Sequence, residues 1–167
     1  KTMRNNNKQW HRHYGVYGVC VNKRKELLVI EKNGGPYSGL WDLPGGSFEN
    51  PESISECLIR EIEEETGLCV SISENLSTFD ILTNSPYNGF DYTHHIAMTY
   101  CIDIISDSEK EISEYVNDRS GSVENDSLGY KWISIDSFCE KNASPLVIKV
   151  CELINNKKSF EIIEYVI

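Results

Sequence analysis

The segment Arg60–Gly67, REIEEETG, carries four glutamates in eight residues. Carboxylates at that density have two ordinary uses. They solvate the outer face of a helix, or they gather hard oxygen ligands around a divalent cation. The two uses differ in where the side chains point, so the first question is geometric.

The flanking residues predict a helix from Pro51 to Thr66. Asn50 is a suitable N-cap, Pro51 fits the first helical position and Glu52 favours the positive end of the dipole. Gly67 suits the left-handed residue that closes a helix. At about 100° per residue, Ile54, Leu58 and Ile62 form an apolar stripe. Glu65 falls about 20° from Leu58, Glu61 about 60° and Glu64 about 120°, while Glu56, Arg60 and Glu63 point away. Glu56 and Glu63 are therefore read as solvated charges. Glu61 and Glu65 face the core, where a lone carboxylate costs several kcal/mol. Like charges four residues apart also repel. A cation between them, or a buried network with Arg or Lys, resolves both problems, and geometry leaves these alternatives open.

Several elements must position this helix. Residues 1–13 are polar and basic and are read as a loose arm, with one domain over 14–167. YGVYGVCVN is expected as a strand, paired across the turn NKRK with ELLVIEK, 26–32. NGGPYSGLW is a glycine-rich loop. WDLPGGSFENP runs through a short strand into the helix. A strand begins at LCVSISEN, 68–75, a long strand covers 92–105, and YKWISI, 130–135, forms another. Residues 106–127 read as an acidic, serine-rich loop. SPLVIKVCELINN, 144–156, has helical spacing with Pro145 near its start. Strands interleaved with two helices argue an α/β or α+β chain with a mixed sheet.

The whole chain sets bounds. Its 167 residues, 40% hydrophobic and 25% charged, suit one globular domain. A net charge of −10 disfavours an extended nucleic-acid surface or an anionic membrane. It does not disfavour a small anionic substrate beside a bound cation. No apolar run reaches membrane-spanning length. The six cysteines contain no C-x-x-C pair and are read as small buried hydrophobes in a reducing, cytoplasmic compartment.

From Gly46 the chain reads GSFENPESISECLIREIEEETGL, which fits G-x5-E-x7-R-E-U-x-E-E-x-G-U, with U a bulky aliphatic residue. The matches are Gly46, Glu52, Arg60, Glu61, Ile62, Glu64, Glu65, Gly67 and Leu68. The segment resembles the Nudix box of the Nudix hydrolase (MutT-like) superfamily, and LWDLPGG and KWISID extend the likeness from about Tyr14 to Asp136. The resemblance implies an α/β/α sandwich around a central mixed sheet. It implies metal-dependent hydrolysis of a nucleoside diphosphate linked to another moiety, with Mg²⁺ or Mn²⁺ as cofactor. Glu61 and Glu65 would be the principal metal ligands, Glu64 a further ligand, and the carbonyl of Gly45 would complete the site. Arg60 would hold a carboxylate by pairing with Glu64 or Glu56, and Glu52 would either act at the site or stabilise the helix start. The general base is Glu64, or alternatively Glu124 or Asp126 in SVENDSLGYKW.

Other residues have two readings each. Lys32 is a phosphate contact or a surface charge. Trp41 closes a base pocket or packs beside its loop. Tyr87, Phe90 and Tyr92 stack a base or pack before a strand. His94 and His95 point to opposite faces of their strand, and one of them lines the pocket or neither does. The partner expected is a small nucleotide, with a homodimer allowed. The substrate itself stays open, because SPY, 85–87, carries both the proline and the tyrosine that would separate subfamilies. Rival readings are a nucleotide sensor without turnover, an isomerase-type relative acting on isopentenyl diphosphate, and a structural domain with a buried ionic network.

Overall fold

The structure is a computed structural model that describes residues 9–84, 86–105, 127–156 and 163–166, with only the backbone considered at 127–128 and 163–166. In chain order the elements are β1 (Trp10–Val19), β2 (Glu26–Lys32), β3 (Trp41–Asp42), β4 (Gly45–Ser47), α1 (Ile54–Thr66), β5 (Val70–Thr83), β6 (Tyr92–Ile104), β7 (Ser127–Ser134), α2 (Pro145–Asn156) and β8 (Ile163–Val166).

The strands form two sheets. One has the order β4-β1-β6-β5-β8 and the other β3-β2-β7. β1 pairs parallel with β6 and β5 parallel with β8, while the other pairings are antiparallel, so the sheet layer is mixed. Helices cover both faces. Val16, Leu28 and Ile30 pack with Leu58 and Ile62 of α1. Their neighbours Tyr17, Leu27 and Val29 pack with Leu146, Val147 and Val150 of α2. Consecutive buried residues on one strand thus serve opposite layers, as the two-residue period of a strand requires. This is the expected α/β/α sandwich.

Three expectations change. Residues 10–13, assigned to a loose arm, extend β1, because its pairing with β6 starts at Trp10 against Tyr92. β1 and β2 meet only near the turn at Asn22–Lys25, through Val21 opposite Leu27, before entering different sheets. α1 starts at Ile54 rather than Pro51. Ser53 caps it, accepting from the Glu56 amide while Glu56 accepts from the Ser53 amide, and this reciprocal box displaces the Asn50–Pro51 start. Gly67 ends the helix as expected, at φ 71° with its N–H on the Glu63 carbonyl.

The second helix is anchored to the strands. Ser144 precedes Pro145, accepts from the Val147 amide, and donates its hydroxyl proton to Asp42 at 2.6 Å. Among the described residues no helix is long and apolar enough to cross a membrane. All six cysteines are free thiols, and burial is less general than expected: Cys57 and Cys151 are buried, Cys69 and Cys139 exposed.

Candidate active site

α1 sorts its glutamates much as projection predicts, with one change in the stripe. Leu58 and Ile62 are fully buried, but Ile54 is exposed and Cys57 takes its place. Glu65 is 8% exposed. The side chain of Glu61 is 17% exposed and that of Glu64 is 56% exposed. Burial pushes the Glu65 carboxyl up to about 8, against the opposing pull of Lys32 and the Gly45 amide. Burial also raises Glu61, with the Arg60 hydrogen bond working the other way.

Arg60 organises the carboxylates. Its Nε and Nη2 donate to the two oxygens of Glu52 at 2.5 and 2.9 Å. Nη1 donates to Glu61 at 3.0 Å and Glu64 at 3.1 Å, and Nη2 also reaches the Ser47 carbonyl. The planar fork suits this, since its five N–H groups can serve several oxygens at once. Glu56, the other partner expected for Arg60, is committed to the helix cap. The hydrogen bond from Arg60 holds Glu52 down at about 2. Glu52 sits outside the helix, ahead of the Ser53 cap, where it braces Arg60 and accepts from the Glu49 amide.

The strand side supplies close approach. A Cβ on Gly46 would lie 2.6 Å from the Glu61 carboxylate. A Cβ on Gly45 would lie 2.2 Å from the Val16 carbonyl, and Gly45 adopts φ +141°. Both positions need glycine for the carboxylates and β1 to come this near. Gly45 meets Glu65 through its amide, which donates to Oε2 at 2.8 Å. Lys32, the last residue of β2, reaches Oε1 of Glu65 at 3.5 Å. Among the described residues no three acidic, histidine or cysteine side chains stand together as a ready metal cluster.

Beside this lies a second cluster. The Tyr17 hydroxyl sits between Nε2 of His13 and Nε2 of His95, 2.9 Å from each. Its ring folds back over Gly15, where a Cβ would lie 2.6 Å from the hydroxyl oxygen. Burial lowers His95 well below the usual imidazole range, with help from His13 and Lys32. Burial, His11 and Lys32 lower His13 to about 4. Burial raises Tyr17 well above the phenol range, and Asp42, Tyr37, Glu65 and Glu61 add to it. These effects put Tyr17 within electrostatic reach of Glu61 and Glu65, and both imidazoles within reach of Lys32.

The remaining candidates divide. Tyr87 bridges to Phe90, and its ring lies 5.0 Å from that of His11, on the same side of the sheet as His13 and His95. Tyr92 stacks on Trp10 at 4.9 Å and belongs to the opposite face, apart from that cluster. His94 is on that face too, bonded to Asp80 at 2.7 Å. Trp41 packs against the α2-side core with the Lys131 ammonium 4.9 Å from its ring centre. Glu124 and Asp126 lie outside the described residues. Sequence reasoning missed Tyr17, His13, Tyr37 and Asp42. The alternation His11, His13, Gly15, Tyr17 was a usable signal, since a two-residue period puts all four on one face.

Comparison with known proteins agrees with this geometry. The NUDIX domain model matches residues 11–149, and the chain belongs to the Nudix family. An ADP-ribose pyrophosphatase of Methanocaldococcus jannaschii is 31% identical over 85 residues, which is 51% of this chain and 47% of that protein. A putative 8-oxo-dGTP diphosphatase of Bacillus subtilis is 34% identical over 65 residues, 39% of this chain and 42% of that protein. These matches span less than half of either relative. In fold, a Nudix hydrolase from Nitrosomonas europaea superposes with a TM-score of 0.64 at 21% identity, covering 90% of this chain and 93% of the other. A MutT Nudix hydrolase from Burkholderia pseudomallei gives 0.62 at 21% identity, covering 85% and 97%.

Proposed function

We propose that this chain hydrolyses the pyrophosphate bond of a nucleoside diphosphate linked to another moiety, using Mg²⁺ or Mn²⁺. The observation that carries the reading is the buried carboxylate of Glu65. It shares one helix face with Glu61, the Gly45 amide orients it, and the Lys32 ammonium lies 3.5 Å from it. The donor chemistry fits a hard divalent ion: all oxygen, two carboxylates one turn apart, and a glycine in place of any Cβ against Glu61. Glu61 and Glu65 would hold the ion and Glu64 would add a ligand, with the Gly45 carbonyl as a further donor. When bound, such an ion neutralises phosphate oxygens and acidifies a water.

The chain's own residues do the rest. Arg60 keeps Glu61 and Glu64 at fixed positions while its bidentate bond to Glu52 immobilises the guanidinium. Lys32 stands where its ammonium can pass from Glu65 to a phosphate oxygen. Glu64 is the exposed carboxylate of the set, which supports it as the group that takes a proton from attacking water, with Glu124 and Asp126 as the other candidates. The relatives' names, ADP-ribose pyrophosphatase and 8-oxo-dGTP diphosphatase, support a small nucleotide as substrate. The test is a screen of ADP-ribose, nucleotide sugars, nucleoside triphosphates, dinucleoside polyphosphates and capped RNA with Mg²⁺ or Mn²⁺, products resolved by chromatography. Metal-dependent cleavage of one class is expected. A folded protein that binds a nucleotide and cleaves none would favour a sensor.

A further inference from the structure

Three buried polar atoms have no hydrogen-bond partner among the described residues, Nδ1 of His11, Nδ1 of His95 and the hydroxyl of Tyr37, and the last two lie side by side. His95 is 1% exposed and Tyr37 6%. Their rings lie 5.9 Å apart, tilted by 34°. Buried polar groups in native proteins are nearly always satisfied, so two orphans on one wall point to a missing partner.

The other side of His95 is fully committed. A tyrosine hydroxyl has one proton, so Tyr17 donates to one of its two imidazoles and accepts from the other. If Tyr17 donates to His95, neutral His95 carries its proton on Nδ1, and that atom is a donor. If Tyr17 donates to His13, Nδ1 of His95 is a bare acceptor. The far end of the relay tolerates both, because His13 Nδ1 faces the Ser47 hydroxyl, which donates or accepts. The orphan pair therefore presents either two donors or a donor and an acceptor, with the Tyr37 hydroxyl free to rotate.

We propose that His95 and Tyr37 form a specificity-determining edge that hydrogen-bonds the uncharged ring of a nucleobase, and that Tyr17 is a positioning residue that sets which proton that edge carries. The inference rests on the hydrolase reading above and names what its site recognises. Three features favour a neutral ring over a second phosphoryl group. Burial disfavours charge on the imidazoles of His13 and His95, the rings of His11, Tyr87 and Phe90 cluster on the same side of the sheet, and the ammonium of Lys32 lies 3.5 Å from Glu65. Tyr37 ends a short turn, Gly35–Tyr37, with Gly39 beyond, and both glycines adopt positive φ. Because both rings are buried, this turn has to move when a nucleobase binds.

The test separates this edge from turnover. The chain has only four histidines, so imidazole ¹⁵N resonances can be assigned. Metal-free protein is titrated with adenosine, guanosine and uridine. A saturable shift of the His95 nitrogens with at least one nucleoside is expected. Tyr37→Phe removes a hydroxyl with no hydrogen-bond partner among the described residues, so its Tm should hold or rise, while nucleoside affinity falls about tenfold. Tyr17→Phe should change the tautomer ratio of His95, which loss of packing alone would not do. No His95 response to any of the three nucleosides, unchanged affinity in Tyr37→Phe, or an unchanged tautomer ratio in Tyr17→Phe would overturn the assignment. Where the wild type turns over a nucleotide, Tyr37→Phe should raise KM about tenfold with kcat intact. Absence of all turnover counts against the hydrolase reading alone, and the titration still decides the edge.

Discussion

The two ends of the site handle polarity in opposite ways. At the α1 end charge is dense: Glu52, Glu61, Glu64 and Glu65 surround two cations, Arg60 and Lys32. At the β1–β6 end, equally titratable rings are held neutral by burial. The difference follows from what each end can offer a charge. Arg60 reaches three carboxylates on a partly exposed helix face, so ionised groups persist there. His13, Tyr17 and His95 have mostly one another, and a shared hydrogen bond satisfies neutral groups at lower desolvation cost. Glu65 stands at the seam. It is a buried carboxylate within electrostatic reach of Tyr17, Asp42 and Lys32, and its raised pKa reports that burial.

That contrast can be broken at its strongest point. Glu65→Gln removes the buried charge and keeps the shape. We expect kcat with Mg²⁺ to fall by about three orders of magnitude while the fold persists, because a neutral amide is a poor ligand for a hard cation. Steady-state kinetics and circular dichroism check this together, and full activity would sink the site assignment. Arg60→Met should cost about a hundredfold in kcat/KM by releasing Glu61 and Glu64 from their positions. It should also alter the acid limb of stability. Glu52 is depressed by Arg60, so its contribution is present above the ordinary 4.5 and lost as pH falls towards about 2. Thermal melts of wild type and variant over that window test the point, and parallel acid limbs would contradict it.

The seam itself has a pH signature in metal-free protein. The Glu65 carboxyl titrates near 8 when folded against an ordinary 4.5, so between these values the folded state binds more protons than the unfolded. Stability should therefore fall as pH rises from about 4.5 to about 8 and level off above that. Glu65→Gln should flatten the decline. Added Mg²⁺ should raise Tm more at pH 8 than at pH 5, since the ion competes with that proton. Melts in chelator and in Mg²⁺ at the two pH values are sufficient.

Smaller effects sharpen the boundary. Ser53→Ala removes the helix cap and should cost about 1 kcal/mol in denaturant unfolding, with kcat nearly intact. His94→Ala, on the face of β6 away from His95, should leave KM unchanged. A raised KM there would show that the two faces are coupled.

Much of the charged end was legible in the chain. Glu61, Glu64 and Glu65 sort themselves by helical angle alone, and Gly67 closes the helix where the spacing put it. The start of α1 was misread because Asn50–Pro51 and Ser53–Glu56 are both valid caps, and only the reciprocal bonds of the second choose between them. Of the two partners expected for Arg60, Glu64 is found, but Glu56 is taken by the helix cap and Glu52 receives the bidentate bond instead.

The neutral end was nearly invisible. His13 and Tyr17 are four residues apart on one strand, but His95 is 78 positions from Tyr17, and nothing local in either segment names the other. Lys32 and Glu65 are 33 apart and meet because β2 ends beside the last turn of α1. Local periodicity and capping are short-range physics, so the residues of α1 carry their own instructions for which carboxylate turns inward. Whether that inward carboxylate finds a lysine, a glycine amide or a wall of neutral rings depends on parallel pairing of β1 with β6 and on which sheet receives β2. Those are long-range choices, decided by how the whole core closes.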